Sequence, residues 1–216
     1  MRQSHPGVQT RAPQQRFSTV SLGGAGRFCV PYTRIPDRFP ALSGEGLTLR
    51  ELSAEDLPAW FERLSDSEAA ILAGDPIATS FDAVVGGLEY HRGAFLSKEG
   101  IRWSIVPDEL GVSVGTIGLS EFCESAGAAS VGAAIGRAHW GLGIATRAGR
   151  VVLDYAFRSL ALELVWAVVL PENRRIIKVL DRLGFTLGEP PDGIVREIGD
   201  RADTLYYAAL RVPSAA

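Results

Sequence analysis

From residue 47 to residue 211 the apolar positions change period several times, and each change marks an element. Leu47, Leu49 and Leu52 suggest a short strand whose alternation breaks at Glu51. Ser53 then stands as a helix N-cap with Asp56 three residues on, and Leu57, Trp60, Phe61 and Leu64 share one helical face. A second helix is expected after Ser80 through "FDAVVGGLEYHRGAFL", despite Gly86-Gly87. The segments "IRWSIVP", "SVGTIGLSEF" and "ASVGAAIG" read as three strands. The turns "DELG" and "CESAG" between them make an antiparallel meander. Next comes a helix to about Phe157, with Ile144, Ala148, Val151, Val152, Tyr155 and Ala156 facing inward. "LELVWAVVLP" is a strand and "ENRRIIKVLDRL" a helix that ends at Gly184 in the C′ position. "DTLYYAALRV" supplies a last strand. The order β-α-α-β-β-β-α-β-α-β-β predicts an α+β fold with a mostly antiparallel sheet covered by helices, and no internal repeat interrupts it.

The first 36 residues break this pattern. They hold Arg2, Arg11, Arg16, Arg27 and Arg34, no Asp or Glu, and no sustained period. Such a segment buries too little apolar surface to offset its ordering entropy. It resembles an organelle transit peptide in charge but lacks the amphipathic apolar face. Residues 1–42 are therefore expected to be a disordered Arg-rich extension, with the domain over residues 43–213.

Composition narrows the classes. The 216 residues are 46% hydrophobic, enough for one sizeable core. A net charge of −3 argues against a general affinity for nucleic acid. Cys29 and Cys123 form no CxxC pair, which favours free thiols in a reducing compartment and a cytoplasmic location. His5, His91 and His139 lack metal-ligand spacing, so no metal is expected. The longest apolar run, Leu164 to Leu170, falls far short of the ~20 residues that a membrane span needs.

The chemistry concentrates in "HWGLGIAT", His139 to Thr146. A strand leads into a loop whose Gly141 and Gly143 permit close backbone approach, and a helix starts directly afterwards. The first amides of such a helix lack intrahelical partners and carry the positive end of the macrodipole, which suits phosphate; Thr146 adds a hydroxyl donor. The plainer reading is a tight strand-to-helix turn, and the stretch alone leaves both open. The chain has no Gly-Lys-Ser/Thr run for a P-loop. A dinucleotide-binding oxidoreductase fits poorly: Thr146 replaces the third glycine of a Rossmann loop, and Glu163 precedes the next strand instead of closing it.

Taken together, "WGLGIAT", "VVLPENRRIIKVLDRLGF", "SVGTIGLSEF" and "SVGAAIG" occur in the order found in the GNAT superfamily of acyl-CoA-dependent N-acyltransferases. From about residue 47 to 211 the chain resembles its RimJ/RimL-type branch. The resemblance implies a mixed, mostly antiparallel sheet flanked by helices on both faces, and acetyl-CoA as co-substrate. It lays the pantetheine arm beside the strand ending at Ile135, gives the pyrophosphate to the amides of Gly141, Leu142, Gly143, Ile144, Ala145 and Thr146 after Trp140, and matches Asn173 to an asparagine touching the cofactor's arm. Asn173 also reads simply as a helix N-terminal residue. Arg137 is either a further phosphate contact or a solvated loop charge.

The acceptor implied is a primary amine on a small molecule or a peptide, in a monomer or homodimer. Three proton-transfer positions depart from the relatives: Ser130 stands where the branch often has Glu, Ile176 where it often has Ser, and Leu180 where other members place Tyr. The catalytic residues are thereby left open, with Glu121, Glu124, Tyr206, Tyr207 and His139 as candidates. A non-catalytic acyl-CoA-binding protein is the alternative.

Overall fold

A computed structural model describes residues 31–188 and 204–211. Its eight strands form one sheet in the order β1-β2-β3-β4-β5-β6-β8-β7. β1 (Leu42–Gly44) and β2 (Leu47–Glu51) make a hairpin through Glu45 and Gly46, both at positive φ (56° and 70°), as a tight primed turn requires. β3 (Gly100–Pro107), β4 (Gly115–Cys123) and β5 (Ala128–Ile135) are the expected antiparallel meander. β6 (Leu164–Val169) joins β5 in the sheet's one parallel pairing. β8 (Leu205–Leu210) then lies between β6 and β7 (Thr186–Gly188).

Five α-helices cover both faces: α1 (Leu57–Ser65), α2 (Ser67–Ala73), α3 (Phe81–Leu96), α4 (Ile144–Arg158) and α5 (Arg174–Arg182). α4 presents Ile144, Ala148, Val152 and Ala156, all buried, to the sheet residues Ile101, Trp103, Ile117 and Val165 in the main core. Leu52, Trp60, Leu64, Val84 and Leu88 form a smaller cluster under α1 and α3. α5 ends as its glycine predicts: Gly184 adopts φ +81° and Phe185 N–H returns to Leu180 O at 3.0 Å. Gly86-Gly87 is absorbed because Gly87 and its neighbour Leu88 face inward.

Two expectations need correcting. The ordered body begins before residue 43. Tyr32 and Ile35 are 3% and 1% exposed within the main core, Tyr32 Oη donates to Leu160 O at 2.9 Å, and Trp103 Nε1 donates to Pro40 O at 2.7 Å. In the fragment "PYTRIP" two apolar side chains three apart suffice to anchor the segment, although its composition resembles the extension. Residues 1–30, including His5 and Cys29, lie outside the described residues. The second correction is α2, which the period analysis passes over. Asp66 caps it by accepting from Ala69 N at 3.1 Å, and Gly74 ends it at φ +71°.

Candidate active site

β5 and β6 pair only at Ala128–Leu164, Ala129–Val165 and Ser130–Trp166. Beyond Ser130 the two strands part, and β5 runs on to Ile135 paired with β4 alone. A cleft with a volume of about 340 Å³ fills the opening. Its walls are Val131 to Ile135, Ala167 to Val169, the loop from His139 to Gly143, the first turn of α4, and one face of α5. α2 contributes Ala69, Leu72 and Ala73 above it.

Among the described residues the splay leaves the β6-facing backbone of Val131 to Ala134 without a neighbouring strand, a free edge that an extended chain can join. At Ile135 that edge is closed: the Trp140 indole Nε1 donates to Ile135 O at 2.7 Å. The aromatic before the glycines therefore bolts the loop onto the end of β5. The pairing segment offered to an extended ligand lies one residue short of the expected terminus.

The loop itself has the geometry its glycines imply. Gly141 and Gly143 sit at φ +81° and +75°, where a side chain is strained. A Cβ at either would meet no protein atom within 4 Å, so the space beside them is open. Gly141, Leu142 and Gly143 are exposed, Ala145 is half-buried, and α4 begins at Ile144 with no side-chain cap and no acid in its first turn. Those amides retain their donor capacity and the positive end of the helix dipole. Thr146 is 6% exposed, lines the cleft, and its Oγ1 is a buried polar atom with no hydrogen-bond partner. An orphaned buried hydroxyl costs about 1–3 kcal/mol, which a ligand oxygen would relieve.

Asn173 does more than cap. Its Oδ1 accepts from Ile176 N at 3.2 Å and its Nδ2 donates to Leu72 O at 2.8 Å, so one side chain starts α5 and ties the end of α2 across the cleft. Asn173→Ala should cost about 1–2 kcal/mol, measured by urea unfolding. It should also loosen α2, read as faster amide exchange over residues 67–73.

Arg137 is put to a use its sequence position does not suggest. Its Nη2 donates to Asp66 Oδ1 at 2.7 Å and its Nη1 to Glu68 Oε2 at 2.8 Å, holding the other end of α2. The guanidinium keeps the Asp66 carboxyl well below the usual range. The Arg137 fork is thus engaged by two acids at the start of α2. Arg137 packs its plane 5.0 Å from the Trp140 ring centre, and Arg175 of α5 sits 4.6 Å from the same ring.

Of the five titratable candidates only His139 lines the cleft. Glu124 is exposed and accepts from Thr33 Oγ1 at 2.7 Å. Glu121 is half-buried at φ +53°, where the β4–β5 register shifts. Tyr207 is 8% exposed in the main core, as strand alternation requires of one of the pair. Tyr206 faces the other way and stacks on Trp166 with ring centres 6.5 Å apart. Ser130 is 1% exposed, half-buried Ile176 lines the cleft, and Leu180 packs in the core.

His91 of α3, which lacks metal-ligand spacing to the other histidines, has a packing role instead. It is partly buried and stacks on Trp60 at 5.7 Å; the loss of water, reinforced by the cations of Arg102 and Arg63 and opposed by Asp75, lowers its pKa to about 3. Because the unfolded chain takes up this proton near pH 6.5 and the folded chain does not, stability is full above that pH and falls as pH drops toward 3. Going from pH 7.5 to 5.0 should remove up to about 2 kcal/mol, and His91→Phe should flatten that part of the profile. Urea midpoints at the two pH values provide the comparison.

The chain's relationships agree with this geometry. Residues 46–186 match the family described as Acetyltransferase (GNAT) domain, so the chain belongs to the GNAT acetyltransferases. It is 31% identical over 77% of its length to the uncharacterized N-acetyltransferase p20 of Bacillus licheniformis, and covers 94% of that protein. To the uncharacterized N-acetyltransferase YoaA of Bacillus subtilis it is 27% identical over 80% of its length and 98% of that protein. Among solved structures it is similar in fold to Mycobacterium smegmatis RimJ in complex with CoA-disulfide, at 23% identity and a TM-score of 0.64 over 79% of this chain and 86% of that one. The protein is an acyl-CoA-dependent N-acyltransferase of RimJ/RimL-like fold, with the mixed, mostly antiparallel sheet expected of it.

Proposed function

We propose that the protein transfers an acetyl group from acetyl-CoA to a primary amine, and that the β5–β6 cleft holds the donor. One observation carries the reading: a free strand edge, Val131 to Ala134, leads along one cleft to an uncapped, acid-free helix start where Thr146 Oγ1 is orphaned. The free edge suits the amides of a pantetheine arm. The amides from Gly141 to Thr146, opened by two glycines whose Cβ positions are empty, suit a pyrophosphate. Bound there, acetyl-CoA supplies an activated thioester carbonyl for attack by a neutral amine.

The chain's part is positioning and electrostatics. Holding the donor along β5 fixes the carbonyl against the acceptor, and strand amides beside the splay are donors for the developing oxyanion. No carboxylate lines the cleft among the described residues, so the amine's proton leaves through His139, through water or through groups outside the described residues. The acceptor class rests on family membership and on the fold shared with solved relatives. One of these is a Vibrio cholerae spermidine N-acetyltransferase in complex with CoA and spermine, 21% identical with a TM-score of 0.64 over 77% of this chain and 96% of that one.

Thiol release from acetyl-CoA should be followed against a panel of polyamines, amino-acid amides and peptides with free N-termini. Amine-dependent release, with mass spectrometry showing one acetyl group on the amine, is the expected result. Binding of acetyl-CoA with no release above the water rate for any amine would overturn the transferase reading.

A further inference from the structure

Arg102 of β3 runs sideways across the sheet. It shares a rung with Gly118 of β4 and, one strand further, with Gly132 of β5. The two glycines lie side by side and leave a trough for the side chain. A Cβ on Gly118 would stand 2.7 Å from Arg102 Cδ, and one on Gly132 would stand 3.6 Å from its Nη1. The side chain is held midway across β4, where Nε donates to Oγ1 of buried Thr116 at 3.2 Å. It ends at the cleft: Nη1 donates to Gly132 O at 3.4 Å, and Gly132 is a wall residue.

Strand alternation fixes which way each peptide of β5 points. Gly127 O accepts from Glu163 N at 2.7 Å, so the backbone of residue 127 faces β6. Gly136 N donates to Val114 O at 2.9 Å, so the backbone of residue 136 faces β4. Counting in twos from either end, Ser130, Gly132 and Ala134 face β4, while Val131 and Ala133 face the side from which β6 parts. The Gly132–Ala133 peptide therefore turns its oxygen to β4, where the guanidinium meets it, and its N–H to the splayed edge. Because Gly132 O already faces β4 in the ladder, the arginine contact is an addition to the sheet's own pairing. A cation bonded to a peptide oxygen draws charge from the N–H of the same peptide and strengthens that donor.

We propose that Arg102 is a positioning residue for acetyl transfer, which polarises the Gly132–Ala133 peptide through Gly132 O so that the Ala133 N–H holds the oxyanion formed at the thioester. The inference rests on the transferase reading of the cleft. In that step the amine lone pair forms the C–N bond while the carbonyl pair moves to oxygen. The pair then returns, the C–S bond breaks and coenzyme A leaves as the thiolate; the amine gives up one proton and the thiolate takes one up. A donor strengthened for the oxyanion acts on kcat and not on the affinity for acetyl-CoA.

Two measurements on the full chain test this. The first is kinetic, with acetyl-CoA and the fastest amine of the panel above. Arg102→Met, of similar length and without a donor, should lower kcat about tenfold while the acetyl-CoA dissociation constant changes less than about twofold. Arg102→Lys, which keeps a cation, should recover part of the loss. The second needs no turnover. Labelling glycine carbonyls with 13C and alanine nitrogens with 15N confines the NMR spectrum to the peptides Gly24–Ala25, Gly93–Ala94, Gly127–Ala128 and Gly132–Ala133. In Arg102→Met the Ala133 amide proton should move upfield while the others hold still, with Arg102→Lys in between. An unchanged kcat, a kcat that falls only in step with acetyl-CoA affinity, or an unmoved Ala133 signal in the folded methionine variant would overturn this role and leave the transferase reading standing. No acetyl transfer by the unaltered protein to any amine would overturn that reading, and this role with it.

Discussion

Gly143→Val is expected to weaken acetyl-CoA binding by at least about 100-fold, close to 3 kcal/mol, while leaving a folded protein. The position separates the two effects well. A Cβ at residue 143 meets no protein atom within 4 Å, so the branched side chain projects into the open space of the cleft mouth. The backbone there is left-handed, with φ +75°, which costs an L-residue about 1–2 kcal/mol and lowers the unfolding midpoint by several degrees. Gly143→Ala carries a similar backbone cost with less bulk, and should fall between the two in affinity. Calorimetric affinities beside thermal midpoints for all three proteins make the comparison. An unchanged affinity in a folded valine variant would remove the cradle from the account.

The largest expected loss of stability belongs to Gly115→Val. Gly115 pairs with Ile135 at the end of the β4–β5 ladder, and a Cβ there would lie 2.3 Å from Ala134 O and 2.9 Å from Ile135 Cα. Both obstacles are main chain, so no rotamer change relieves them and the strands must separate. A cost above about 3 kcal/mol follows, at the upper end of overpacking effects. The displaced segment is also the cleft wall that Trp140 fastens, so acetyl-CoA binding should fail with it. Gly93→Ala, in the interior of α3 with nothing within 4 Å, should instead stabilise by about 0.5–1 kcal/mol. Urea denaturation of the two variants, moving in opposite directions, checks both expectations.

Elements with an uninterrupted period were readable from sequence. The meander from Gly100 to Ile135, the helix behind "HWGLGIAT" and the Gly184 stop all stand where the spacing places them. α2 was not readable because seven residues give less than two turns of periodicity, and its stability comes from contacts distant in sequence, Arg137 on Asp66 and Asn173 on Leu72 O. The start of the domain was misplaced for a related reason. Tyr32 and Ile35 are held by Leu160 O and the β-sheet core, and nothing local in "PYTRIP" announces either.

The site divides in the same way. Gly141, Gly143 and Thr146 could be singled out because left-handed turns and uncapped helix starts leave local marks. The parting of β5 from β6, which makes the cleft, is a property of pairing between chain segments 36 residues apart in register, as with Ser130 and Trp166 at the last shared rung, and no single segment encodes it. Arg137 was weighed as a phosphate ligand from its place in the loop, and the acids that engage it stand at the start of the unread helix. Ser130 is closed inside the protein, and Ile176 and Leu180 offer the cleft only apolar side chains, so none of the three positions supplies it a proton-transfer group.

The central claim is that the splayed strands and the helix start of α4 form one acyl-donor site, and a crystal structure of the protein with CoA tests it most directly. The account predicts pyrophosphate density on the amides between Gly141 and Thr146, with Thr146 Oγ1 in contact, and a pantetheine arm running along Val131 to Ala134. CoA bound with its pyrophosphate elsewhere, or with β5 and β6 zipped together beyond Ser130, would contradict it.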